Sequence, residues 1–175
     1  MQRQPSLPSS HRVLGVDTSL RSTGLGVVER VGNSYRGVWH ATVKVAANKP
    51  LSAALIAVQD AMEKAIGEHR PDAVSVEGIF FYKFARTAML LGHARGVVIA
   101  TCAKYGLPVY EYAPRDVKQA MTGYGAASKE QMQRMMMSVL KLDTPPAEDE
   151  GDALGLALCH LQHQTGIAAL RQESI

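Results

Sequence analysis

With 175 residues, 46% hydrophobic and 20% charged, the chain can bury one substantial core and is neither disordered nor fibrous in composition. A net charge of +3 and a pI near 8.9 are compatible with an anionic partner without requiring one. No run approaches the roughly 20 apolar residues of a membrane span, and residues 1–10 lack the apolar segment of a secretory signal. Cys102 and Cys159 sit far apart in small apolar surroundings, as buried free thiols of a reducing compartment. The expectation is a cytoplasmic protein with a disordered arm over 1–10, one folded domain over 11–165 and a flexible tail over 166–175.

Arg12–Asp17 is a short apolar run that ends in one carboxylate and a turn, which predicts a buried strand. Gly24–Arg30 predicts an antiparallel return strand, Val31-Gly32-Asn33-Ser34 a hairpin turn, and Tyr35–Val45 a third strand. Pro50 opens a helix over Leu51–His69, with Leu51, Leu55, Val58, Met62, Ala65 and Ile66 on one stripe. Ala73–Glu77 is a short strand, again closed by an acid. The aromatic cluster Phe80-Phe81-Tyr82 with Phe84 precedes a long helix over Ala85–Tyr105. On that helix Ala88, Gly92, Gly96 and Ala100 recur every four residues, a small-residue stripe that lets another helix come close.

Leu107–Tyr112 is a fifth strand, and Pro114 starts a helix that runs to Ala120. Ser128 and Gln131 have the spacing of a capping box at the head of another helix. Thr144-Pro145-Pro146 interrupts the chain before a last helix over Glu148–His163. The fold class is α/β: a mixed sheet, with strands one to three as an antiparallel meander and the others parallel, flanked by helices.

Asp17, Glu77, Asp149 and Asp152 stand out by position. Two end buried strands, and the other two, three residues apart, lie within about 60° of each other on one helix. Crowded carboxylates resist ionisation, and a hard divalent cation with oxygen ligands removes that cost. Each acid also has an ordinary use: Asp149 as a helix cap, Asp152 as a first-turn acid, Asp17 as a turn residue. His160 and His163, two or more turns beyond Asp152, are surface or core histidines rather than ligands. Met132, Met135, Met136 and Met137 read as adaptable filler.

In order along the chain stand Leu14-Gly15-Val16-Asp17, Thr23-Gly24-Leu25-Gly26-Val27, Val76-Glu77, Gly92-His93-Ala94-Arg95-Gly96-Val97, Tyr112-Ala113-Pro114-Arg115-Asp116-Val117-Lys118-Gln119 and Asp149-Glu150-Gly151-Asp152-Ala153-Leu154. Together, from about Arg12 to His163, they resemble the RuvC Holliday junction resolvases. The resemblance implies a ribonuclease-H-like fold, a homodimer and paired symmetric nicks in four-way DNA junctions during recombination and repair. It also implies Mg²⁺ or Mn²⁺, two per active site, held by Asp17, Glu77, Asp149 and Asp152, and the RuvA–RuvB branch-migration complex as partner. Lys118 and Lys129 match family lysines that hold the scissile phosphate, and with Arg115 they form a basic DNA-binding set. Lys129 follows the cap Ser128, at the positive end of a helix where a cation is disfavoured unless it serves an anion. Phe80, with Phe81 beside it, matches the family's phenylalanine at the junction centre; core packing is the competing use of these rings.

Two departures from the family pattern appear. Thr18-Ser19 replaces the usual Pro-Gly after the first acid, and Gly78 follows Glu77 where a larger polar residue is common. Three other readings stand beside the resolvase. The hairpin around Asp17 also resembles the phosphate-binding hairpin of actin-like ATPases, which require two such domains. A junction-binding protein without catalysis and a ribonuclease-H-like nuclease acting on RNA are the others.

Overall fold

The computed structural model describes residues 10–78, 85–123, 128–165 and 173–175. Most of the N-terminal arm, the aromatic cluster with Phe80 and Phe81, the Tyr124-Gly125 loop and most of the tail lie outside the described residues. In chain order the strands are β1 (Ser10–Asp17), β2 (Ser22–Val31), β3 (Ser34–Lys44), β4 (Ala73–Glu77) and β5 (Val109–Tyr112). The helices are α1 (Leu51–His69), α2 (Ala85–Lys104), α3 (Pro114–Thr122), α4 (Lys129–Leu140) and α5 (Glu148–Thr165).

Alternation along β1 decides the layering. Leu14 and Val16 point to one face, and Val13, Gly15 and Asp17 to the other. β1 pairs antiparallel with β2 and parallel with β4, and the sheet order is β3-β2-β1-β4-β5. The Leu14–Val16 face packs on α1 and α2 through Val58, Met62, Val98 and Cys102. The opposite face packs on α3, α4 and α5 through Met121, Met136, Leu140, Leu154 and Leu158. Burying each large aliphatic side chain contributes about 1.5–3 kcal/mol.

α5 is the central helix. From Ala153 to Leu161 nearly every side chain is buried, so it is apolar all round rather than amphipathic. It lies directly on β1 and β2 because glycines face it. A Cβ on Gly15 would sit 1.8 Å from the Ala153 carbonyl oxygen, and one on Gly24 1.9 Å from that of Asp149. Only hydrogen side chains permit this approach.

α1 and β4 occupy the spans predicted from sequence, and the Ser128–Gln131 capping box forms. β1 and β2 each begin two residues earlier than predicted, and α3 and α5 each end two residues later. On α1 the buried stripe runs through Ala54 rather than Leu51 and Leu55, which are half-buried. β5 starts at Val109 rather than Leu107, because the Leu107 amide is used on the Cys102 carbonyl to close α2, with Gly106 at φ 67°. His160 is a core residue, 1% exposed, and both cysteines are buried and free.

Candidate active site

Asp17 and Glu77 end neighbouring parallel strands, one residue beyond the pair Val16–Val76. Both turn toward α5. Asp17 shares its face with Gly15, and Glu77 shares its face with Ser75, whose hydroxyl donates to the Leu156 carbonyl at 2.8 Å. The first turn of α5 then brings Asp149 and Asp152 to the same end of the sheet. A cleft of about 460 Å³ opens there, bounded by Asp17, Glu77, Asp152, Lys118 on α3 and Lys129 on α4, with Met132, Met136 and Glu148 on its walls.

The acids act on one another. Burial pushes the Asp17 carboxyl up to about 7, and Asp152, Glu77, Asp149 and Glu148 add to the shift. Glu77 is raised by burial and by Asp152. Asp152 is raised by desolvation and by Glu148 and Asp149, with Lys129 and Lys118 pulling it down. Such mutual repulsion is tolerated at functional sites, where a counter-charge is supplied. The donor set is all oxygen, which suits a hard divalent cation. The Thr18 hydroxyl, buried next to Asp17, has no hydrogen-bond partner among the described residues. Among the described residues no three Asp, Glu, His or Cys side chains are already gathered closely enough to enclose an ion.

Asp149 does not bound the cleft; its Oδ2 accepts a hydrogen bond from the Ser22 hydroxyl at the start of β2. Lys129 forms an ion pair with Glu148 at the rim, which raises the lysine pKa. Lys118 reaches the cleft from α3, whereas Arg115 on the same helix is exposed and is not one of the lining residues. Phe80 and Phe81 lie outside the described residues.

The turn after Asp17 forms without proline or glycine. The buried Thr23 hydroxyl donates to the Ser19 carbonyl, and the Ser19 amide faces the same oxygen at 3.4 Å. This side chain closes the turn in place of backbone stiffness.

Sequence reasoning passed over four contributors. Ser22 holds Asp149, Glu148 holds Lys129, and Glu150 is bound by β3. Arg95 of α2, 7% exposed, donates to the Glu77 carbonyl at 2.7 Å and pairs with Glu111 of β5. Of these only Arg95 carried a signal, a charge at a helix position among small residues.

A family model described as crossover junction endodeoxyribonuclease RuvC matches residues 13–160. The chain belongs to this family. Relatives named as RuvC are 41% identical in Brevibacillus brevis, over 90% of this chain and 95% of the relative, and 46% identical in Myxococcus xanthus, over 87% and 81%. Among solved structures, Thermus thermophilus RuvC in complex with Holliday junction substrate superposes with a TM-score of 0.87 at 31% identity, covering 94% of this chain and 99% of that one. The yeast mitochondrial Holliday junction resolvase Ydc2 shares the fold with a TM-score of 0.62 at 11% identity, over 89% of this chain and 79% of the other. The five-stranded mixed sheet with helices on both faces is thus the RuvC, ribonuclease-H-like fold expected from sequence. Asp17, Glu77, Asp149, Asp152, Lys118 and Lys129 all lie at one end of that sheet, and five of the six, Asp149 excepted, bound the cleft.

Proposed function

We propose that the cleft carries out the family's reaction, nicking four-way DNA junctions by phosphodiester hydrolysis, with Asp17, Glu77, Asp149 and Asp152 as the catalytic acids. The observation that carries this reading is the gathering of Asp17, Glu77 and Asp152 with Lys118 and Lys129 around one cleft, where burial and then the neighbouring carboxylates raise Asp17. The chain is an endodeoxyribonuclease of a metal-dependent family. Mg²⁺, with Mn²⁺ as a substitute and two ions per site, fits four oxygen ligands at one end of a sheet. When bound, such ions supply Lewis-acid stabilisation of the charge that develops on the phosphoryl oxygens.

The chain's own residues do the rest. Asp17, Glu77 and Asp152 at the cleft, with Asp149 beside it, would hold the cations. Lys118 and Lys129 face the cleft and bind the scissile phosphate, the latter once the phosphate displaces Glu148. Water attacks phosphorus in line, its oxygen bonds to phosphorus as it gives up a proton, and the bond to the 3′-oxygen breaks as that oxygen takes one up, leaving a 5′-phosphate on one side of the nick and a 3′-hydroxyl on the other. Arg115 binds the DNA backbone beside the cleft, and Phe80 and Phe81 contact bases at the junction centre.

Two active sites suit two symmetric cuts, and a homodimer provides them. The outer face of α2 supports that reading: among the described residues a Cβ on Gly92 or Gly96 would meet nothing within 4 Å, and Met89 beside them is 66% exposed. The protein works on junction DNA in the cytoplasm, together with the RuvA–RuvB complex. Among the described residues no helix is long and apolar enough to cross a membrane. The deciding experiment incubates the protein with a synthetic four-way junction and Mg²⁺ and maps the cuts on each strand. Symmetric paired nicks with 5′-phosphates are expected; intact junctions or unpaired random cuts overturn the reading.

A further inference from the structure

Glu150 stands between two of the proposed ligands yet turns away from the cleft. Its Oε2 lies 2.7 Å from His40 Nδ1 and accepts from the Ala147 amide at 3.2 Å. Its Oε1 accepts from the Thr42 hydroxyl at 3.2 Å. His40 and Thr42 belong to β3, on the far side of β2 from β1. Their β2 partners across the ladder are Gly26 and Gly24, so the floor between α5 and β3 carries no side chains and Glu150 can span it. A first-turn acid serving only the helix dipole needs no such set of partners.

We infer that Glu150 is a positioning residue that latches the first turn of α5 to β3 and thereby aims Asp149 and Asp152 at the cations. The physical basis is helix geometry. Glu150 lies about 100° around the helix from Asp149 and about 160° from Asp152. A tether on that side fixes the rotation of the first turn, which sets where the other two carboxylates point. The short contact of Ser22 with Asp149 acts in the same sense from β2. Groups that orient ligands without touching the metal typically change its affinity by about 10–100-fold when removed.

This inference rests on the proposal that Asp149 and Asp152 hold a divalent cation. The test is isothermal titration of the full chain with Mn²⁺ in the absence of DNA, with melting curves as a folding control. Glu150→Ala is expected to weaken Mn²⁺ binding about tenfold or more. His40→Ala should weaken it in the same direction, and the double variant should be no worse than Glu150→Ala alone, because both remove one latch. Glu150→Gln keeps an acceptor for Thr42 and should retain more affinity than Glu150→Ala. Wild-type affinity in Glu150→Ala, or full additivity with His40→Ala, overturns the latch alone. If Glu150→Ala does not fold, His40→Ala decides by the same criterion. A wild-type chain that binds no Mn²⁺, or an Asp152→Asn variant that binds it as tightly as wild type, overturns the metal site and the latch together.

Discussion

The guanidinium of Arg95 donates to the backbone carbonyl of Glu77 at 2.7 Å. It ties α2 to the strand end that carries one of the cleft acids, and the same side chain pairs with Glu111 on the neighbouring strand. A buried cation with partners on both adjacent strands keeps the ends of β4 and β5 together. Lysine keeps the charge but loses the planar fork that meets both acceptors. Arg95→Lys is expected to cost about 1–2 kcal/mol in urea unfolding. It should also lower the cleavage rate by at least tenfold while junction affinity measured in EDTA stays near wild type.

Asp17 ties stability to pH. Its folded value, about 7, lies above the ordinary 3.8. The folded state therefore prefers the protonated acid. That advantage is complete below the unfolded value and is lost as pH rises through about 7. The metal-free protein should thus lose stability between pH 4 and 8, by about 2 kcal/mol from Asp17 once its partial solvent exposure is discounted. Asp17→Asn should melt higher than wild type at pH 8 in EDTA, with the gap narrowing at pH 5. The same variant should bind junctions and fail to nick them.

His160 acts in the opposite direction. Burial, then the nearby His11 and His163, push it down to about 4. The Gln164 amide donates to its Nε2 at 2.8 Å, which leaves Nδ1 protonated and donating to the Tyr112 hydroxyl at 2.8 Å. The neutral ring is the folded form, so stability is present above the unfolded value of 6.5 and falls as pH drops toward 4, by as much as about 3 kcal/mol. Urea unfolding at pH 7.5 and 5 should show a smaller decline for His160→Gln than for wild type. Tyr112→Phe should cost about 1–2 kcal/mol at pH 7.5 through the lost acceptor.

Gly24 is one of the points where α5 touches the sheet. A methyl group there would lie 1.9 Å from the Asp149 carbonyl oxygen and 2.4 Å from its carbon, both backbone atoms that cannot rotate away. Gly24→Ala should destabilise by about 1–3 kcal/mol and reduce cleavage further than stability alone explains, since Asp149 moves with its helix. Calorimetry and a junction-nicking assay on the same preparation separate the two effects.

Gly92 tests the proposed dimer. An added Cβ at Gly92 meets nothing within 4 Å among the described residues, and leucine is the better helix former by about 0.5–1 kcal/mol. The variant should therefore melt no lower than wild type as a monomer, yet sediment as a monomer where wild type sediments as a dimer. An unchanged dimer would reject the α2 interface.

Sequence periodicity carried much of the fold. The spans of α1 and β4, the cap at Ser128 and the acids at the ends of β1 and β4 were all legible, because each depends on neighbours within a few residues. The start of β5 was misplaced because the Leu107 amide is claimed by a helix carbonyl five residues earlier. The glycines at 15, 24 and 26 carried a readable signal, since glycine inside a strand marks close backbone approach. What approaches them, a helix more than a hundred residues away, left no local trace. The same holds for Glu150, which in sequence is one more acid in an acidic first turn.

Asp17 summarises the division. By itself the sequence determined that a carboxylate ends a buried strand, and the ordered motifs determined the family, because chemistry of this kind demands particular side chains at strand and helix ends. Only the tertiary structure decided which charges Asp17 faces, that Thr23 closes the turn beneath it, and that Ser22, Arg95 and the His40–Thr42–Glu150 contacts hold its neighbours. Those relationships are set by how two helices settle on a sheet. A hydrogen bond between residues separated by 127 positions depends on that packing and on nothing local to either residue.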